Sequence, residues 1–265
     1  MNLEKLNRYL EIKDKIGGWI TPGAAELFAW VDQIQRREGI SGNLFEIGVH
    51  HGKTSILLAY MADSVKERLG VCDVFDRVEK NVTNSGRGDR EIFLDHFMTY
   101  VGNPSFLKIF GKSSSELLLD ELGTGYRFFH IDGGHSEEEV FGDLCLADSA
   151  LLERGIIAID DYFNEIWPGV SEGVCRFMIE RPGKLVPVAI GFNKILFSKP
   201  SQQKWYVEQL LATGWRTFFR AFDPDTKLRE LFGVETLVYI VPWRASLWKR
   251  ISSRFKLLIG GFETS

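Results

Sequence analysis

The chain has 265 residues, 45% of them hydrophobic and 26% charged, and a formal net charge of −4. That length suits one large α/β domain with additions rather than two full domains, and the composition is that of a globular protein. The acidic balance argues against a nucleic-acid partner, and no stretch approaches the roughly 18 apolar residues of a membrane span. Cys72, Cys145 and Cys175 are far apart and form no C-x-x-C pair. They read as reduced thiols of a cytoplasmic protein, in line with a start, Met1-Asn2-Leu3-Glu4-Lys5, that lacks the apolar run of a signal peptide.

Residues 1–40 read as N-terminal helices. Leu3, Leu6, Tyr9 and Leu10 recur at helical spacing before Gly17-Gly18 breaks the pattern. Thr21-Pro22 then starts a second helix, with Thr21 as its N-cap. The second helix is expected against a sheet, and the first is a candidate lid over a site.

The next stretch, Leu44 to Thr54 (LFEIGVHHGKT), is the one around which the chain is organised. Leu44 to Gly48 has the length and flanks of a buried strand. Gly52 opens a helix with Ile56, Leu57, Tyr60 and Met61 on one face. Gly48 and Gly52 lie between strand and helix, where backbone can approach a ligand closely and a helix N-terminus offers free N–H groups to an anion. Glu46, at the strand's carboxyl end, is placed to hold a cation such as an ammonium group. A dinucleotide fingerprint is disfavoured because His50 stands where G-x-G-x-x-G needs its second glycine, and a phosphate loop falls one residue short because Ile47 stands where its first glycine belongs. A ligand with an amine, a carboxylate and a nucleoside suits the place, which describes S-adenosylmethionine; the alternative is a tight strand-to-helix turn with no ligand.

A second strand, Gly70–Phe75, carries Asp73 where doubly wound folds place a ribose-binding carboxylate, with Asp76 competing for the role. Residues 77–90 are polar and turn-rich and read as a long loop. A helix around Ile92–Tyr100 leads to a strand at Phe106–Phe110. Ser113 or Ser114 follows, placed to cap the next helix and also to lie near an adenine.

Tyr126–Asp132 is a strand ending in an acid, followed by Gly133-Gly134-His135-Ser136. A helix from Glu137 to Leu152 returns to a strand, Gly155–Asp160, that ends in Asp160-Asp161. Carboxylates from two neighbouring strands would meet at the ligand-binding edge of an open sheet. Asp132, Asp160 and Asp161 together place too much like charge in one cleft, so a divalent cation with oxygen ligands is expected there. His135 would stand beside it as a base. The plain alternative makes the acids helix or turn caps and His135 a polar loop residue.

Beyond Pro168-Gly169 the pattern gives a helix (Ser171–Glu180) and two strands, Leu185–Ile190 and Asn193–Ser198, joined at Gly191-Phe192 as a hairpin. A helix near Gln203–Ala212, a strand Thr236–Val241 and a basic amphipathic segment, Trp243–Ile259, complete the chain. The last reads as a docked surface helix, with contact to anionic lipid as the alternative. The fold class expected is α/β: a Rossmann-like, doubly wound, mostly parallel sheet with an antiparallel edge hairpin. Residues 1–40 would be a cap, 41–200 the core and 201–265 a C-terminal extension.

Over roughly residues 20–200 the chain resembles the class I S-adenosylmethionine-dependent O-methyltransferases. Ile131-Asp-Gly-Gly-His-Ser136, Gly155-Ile-Ile-Ala-Ile-Asp-Asp-Tyr162 and Pro168-Gly-Val170 look like the branch with the macrocin-type sugar O-methyltransferases, and the spacing is also similar to catechol O-methyltransferase. The resemblance implies that Glu46 contacts the methionine amine and Thr54 its carboxylate, that Asp73 binds the ribose, and that Ser113 lies beside the adenine. It implies Mg²⁺ on Asp132, Asp160 and Asp161, with His135 in the place where catechol-type enzymes carry Lys. Asp132 and the glycines Gly48 and Gly52 complete the expected cofactor site. The expected acceptor is a small molecule, a saccharide hydroxyl first and a catechol-like phenol second, and a homo-oligomer is allowed for. A non-catalytic cofactor-binding protein and a metal-dependent oxygenase are the competing classes; the oxygenase is disfavoured because its facial triad wants two histidines and one carboxylate.

Overall fold

The computed structural model describes residues 1–77, 86–212, 214–221 and 223–241. Trp243–Ile259 therefore lies outside the described residues, as does most of the loop expected at 77–90. The first two helices are α1 (Leu3–Ile12) and α2 (Pro22–Arg37). Thr21 caps α2 as its sequence requires, its hydroxyl accepting from the Ala24 amide at 3.1 Å. Then follow β1 (Asn43–Ile47), α3 (Lys53–Met61), β2 (Leu69–Cys72), α4 (Arg90–Tyr100), β3 (Leu107–Phe110) and α5 (Leu119–Leu122). The second half runs β4 (Tyr126–Ile131), α6 (Glu137–Ala150), β5 (Leu151–Asp160), α7 (Pro168–Glu180), β6 (Val186–Gly191), β7 (Lys194–Ser198), α8 (Gln203–Leu210), β8 (Asp225–Leu231) and β9 (Val234–Ile240).

All nine of these strands form one sheet in the order β3-β2-β1-β4-β5-β7-β6-β9-β8. β3, β2, β1, β4 and β5 are parallel, and the order reverses between β1 and β4. This is the switch point of a doubly wound sheet, where the strand ends splay and leave a crevice. The fold is Rossmann-like, as the alternating strand and helix patterns imply. The central strands are buried on both faces, which is why they read as continuous apolar runs. Leu44, Phe128, Ile156 and Leu196 join the core on the face covered by α2, α3 and α8, while Phe45, Phe129, Ile157 and Phe197 join that under α6 and α7.

Two expectations need correction at the sheet's far side. The β6–β7 hairpin pairs antiparallel with β5 through β7, but it is not an edge: β9 adds parallel to β6, and β8 forms the border. Asp225–Leu231 and Val234–Ile240 thus extend the core sheet itself. The hairpin turn is also one residue later than expected, because Phe192 and Asn193 take the positive φ values (56° and 68°) of a tight hairpin turn.

Below the switch point, at the amino end of β4, Arg127 is fully buried. It donates to Glu67 at 2.7 Å and 3.0 Å and to Gln35 at 2.7 Å, and pairs with Asp32 at 2.8 Å. This network ties α2 to the sheet at the end away from the crevice.

Candidate active site

The β1–α3 turn is built by its two glycines. Gly48 has φ 85°, and a Cβ there would lie 1.9 Å from the Asp132 carbonyl oxygen. Gly52 has φ 88°, and its Cβ would lie 2.5 Å from the Phe93 ring. Both glycines are thus required by protein neighbours as well as by left-handed backbone. Asp73, one residue beyond β2, accepts from the Val49 and His50 amides at 2.6 Å and 2.8 Å and from the Phe75 amide at 2.6 Å. Its carboxylate fixes the turn while lining the same crevice.

That crevice is a cavity of about 670 Å³, within the usual range of about 300–1,000 Å³ for small-molecule sites. Of the residues singled out from sequence, Glu46, Gly48, Thr54, Asp73, Ser113, Asp132, His135, Asp160 and Asp161 line it, whereas Gly52 stands behind it. Thr54 sits in the first turn of α3. Ser113 caps the short turn Ser114–Glu116 in a capping box with Glu116 and also lines the cavity.

Glu46 is almost wholly buried. One oxygen accepts from the Ser55 hydroxyl and the other faces His130 Nδ1 at 3.1 Å. Burial pushes its carboxyl well above the ordinary range, with the Ser55 hydrogen bond opposing. His130, its register partner on β4, is pushed well below the usual imidazole value by burial and then by Lys194.

The acids divide into two sets. His130, Asp132 and Asp160 form one group and Asp132, His135 and Asp161 the other; within each, the ligand atoms lie within 4.8 Å of one another. Asp132 is common to both. Burial, then the Asp160 carboxylate, raises its proton affinity strongly; Lys194 opposes, and Asp161 and Glu46 add to the rise. Asp161, at φ 59°, accepts from Asn164 at 2.6 Å and Asn193 at 2.6 Å and faces His135 Nε2 at 3.2 Å. Burial alone would raise its pKa, yet these hydrogen bonds hold it down at about 2. His135 stacks on Trp167 with ring centroids 4.4 Å apart.

Asp160 is engaged differently. Its Oδ1 accepts from the Asp161 amide at 2.8 Å and Asn193 Nδ2 at 3.0 Å, and its Oδ2 is ion-paired with Lys194. Lys194, Asn193, Asn164 and Trp167 all line the cavity and were missed from sequence. The only signal for Lys194 was a charge opening an otherwise apolar strand. Its pairing with Asp160 follows from the antiparallel β5–β7 register.

A doubly wound sheet, a glycine turn at its switch point and an acid just beyond β2 shape a crevice of the kind that binds nucleoside cofactors. Residues 45–162 match the family described as "Methyltransferase domain". Solved structures agree in fold. The O-methyltransferase NovP is 15% identical, with 66% of this chain and 80% of that chain covered and a TM-score of 0.56. The SAH-bound methyltransferase PaMTH1 of Podospora anserina is 14% identical, with 75% and 88% covered and a TM-score of 0.51. At these identities the likeness is one of fold. No curated protein sequence matches the chain significantly. Among the described residues no helix is long and apolar enough to cross a membrane.

Proposed function

We propose that the chain transfers the methyl group of S-adenosylmethionine to a hydroxyl oxygen of a small acceptor, with a divalent cation, Mg²⁺, at the acid cluster. The observation that carries this reading is the meeting of two half-sites in one cavity: the Gly48 turn with Glu46, Thr54 and Asp73, and the Asp132, His135 and Asp161 set beside it. The donor set fits a hard cation. Carboxylate oxygens suit Mg²⁺; burial and then the Asp160 carboxylate raise the proton affinity of Asp132, and a bound cation would oppose both. Asp132 and Asp161 would hold it.

When bound, the cofactor supplies an electrophilic methyl group on sulfonium and the cation lowers the pKa of the acceptor hydroxyl. The protein's own share is positioning and proton transfer. Asp73 and the Gly48 turn fix the nucleoside end, and Thr54 at the α3 N-terminus faces the carboxylate. Trp167 and Asp161 hold the His135 ring against the cavity wall. His135 would take the hydroxyl proton as the methyl group moves from the cofactor's sulfur to the acceptor oxygen. The reaction leaves S-adenosylhomocysteine, the methyl ether and a protonated base.

A saccharide hydroxyl is the first acceptor class, on the resemblance of residues 131–136, 155–162 and 168–170 to the macrocin-type branch. A phenol is the second, favoured by the aromatic wall that Trp19, Trp167 and Phe192 give the cavity. Incubation with labelled S-adenosylmethionine, Mg²⁺ and parallel panels of glycosides and catechols tests both. Label in an ether product supports the reading and identifies the class; transfer to amine or thiol acceptors alone contradicts it.

A further inference from the structure

Lys194 is the one buried ammonium inside the acid cluster among the described residues. It is 3% exposed, lies at the start of β7, and sits opposite Asp160 in the antiparallel register. Its Nζ is ion-paired with Asp160 Oδ2, while Asp160 Oδ1 already accepts from the Asp161 amide at 2.8 Å and Asn193 at 3.0 Å. A carboxylate has about four lone-pair sites, and three donors here occupy most of them. The same ammonium acts electrostatically on Asp132, Glu46 and His130. The three acids expected as ligands accordingly do not converge as one set; Asp132 is shared between Asp160 with His130 on one side and Asp161 with His135 on the other.

We infer that Lys194 is a built-in counter-cation that withdraws Asp160 from the metal site, leaving Asp132 and Asp161 to bind the divalent ion, and that it sets how weakly the ion is held. The inference rests on the proposed metal site and narrows it. Two cations a few ångströms apart repel, and a carboxylate shared with an ammonium is a poorer ligand than a free one. Lys194 is a positioning residue here: it acts through Asp160 and through the field on Asp132. Tight binding of the ion is given up for an acid cluster that stays compensated when no ion is present.

The test is Mn²⁺ affinity of the full chain, read by electron paramagnetic resonance of the free ion and independent of turnover. Lys194→Met should bind Mn²⁺ at least about tenfold more tightly than wild type, since one neighbouring positive charge is gone and one carboxylate is released. Asp160→Asn in the wild-type background should change the affinity less than about threefold, whereas in the Lys194→Met background it should cost at least about tenfold, because only there is Asp160 a ligand. The double variant removes both partners of the buried pair, so it leaves no lone charge and guards against loss of folding. Equal or weaker binding by Lys194→Met, or a large loss from Asp160→Asn alone, overturns the role of Lys194 while wild-type binding keeps the metal site standing. Absence of Mn²⁺ binding in both wild type and Lys194→Met overturns the metal site and this inference together.

Discussion

His135 and Asp143 are single residues with different work to do, one at the cavity wall and one in the core. His135 sits at the cavity wall between Trp167 and Asp161. His135→Ala is expected to keep S-adenosylhomocysteine affinity and slow methyl transfer by roughly 10²–10⁴-fold, the usual worth of a positioned base; single-turnover rates and calorimetry on the same variant check it. Asp143, buried on α6, has its carboxyl pushed up to about 7 by burial, against a Ser114 hydrogen bond that lowers it. Its folded pKa exceeds its unfolded one, so the native state holds the extra proton in between. The contribution to stability is full below the unfolded value near 3.9 and is lost as pH rises to about 7. Asp143→Asn should therefore raise the melting temperature more at pH 8 than at pH 5. An equal shift at both values would show that the carboxyl is not held neutral.

At the scale of elements, the β1–α3 turn and the amino end of β4 carry the sharpest expectations. Gly48→Ala drives a Cβ into the Asp132 carbonyl at 1.9 Å and strains a left-handed backbone. It should abolish S-adenosylhomocysteine binding by displacing the β4 end, with far-ultraviolet circular dichroism showing the helices retained. Arg127→Leu would leave Glu67 without its guanidinium and Asp32 with only Arg36 and the N-terminal amine as cationic partners. A broken buried pair of this kind costs about 3–5 kcal/mol, measurable by urea unfolding. Most elements were legible from local pattern: β1, β4 and β5 as apolar runs with acids at their ends, α2 by its Thr21 cap, and α6 by apolar positions such as Val140 and Leu144. The hairpin turn was misplaced because a left-handed Phe192 is unusual for a bulky side chain. β8 was missed because its exposed residues, Lys227, Arg229 and Glu230 among them, lack the apolar alternation of a half-buried strand.

For the molecule as a whole, sequence located one edge of one sheet but not the compensation within it. Glu46, Asp73, Asp132, His135, Asp160 and Asp161 could be placed at that edge because parallel strands end together. Lys194 could not, since its meeting with Asp160 depends on β7 entering antiparallel beside β5, a pairing that no local pattern states. The same ignorance of pairing made residues beyond 200 read as an appendage, although β9 continues the sheet from β6. The central claim is that the switch-point cavity binds the adenosyl cofactor. Isothermal titration of S-adenosylhomocysteine into the full chain tests it most directly, with the Gly48→Ala variant alongside. Saturable one-to-one binding by the wild type, lost in the variant, is the result predicted. No binding by the wild type, or equal affinity in the two proteins, would contradict the assignment.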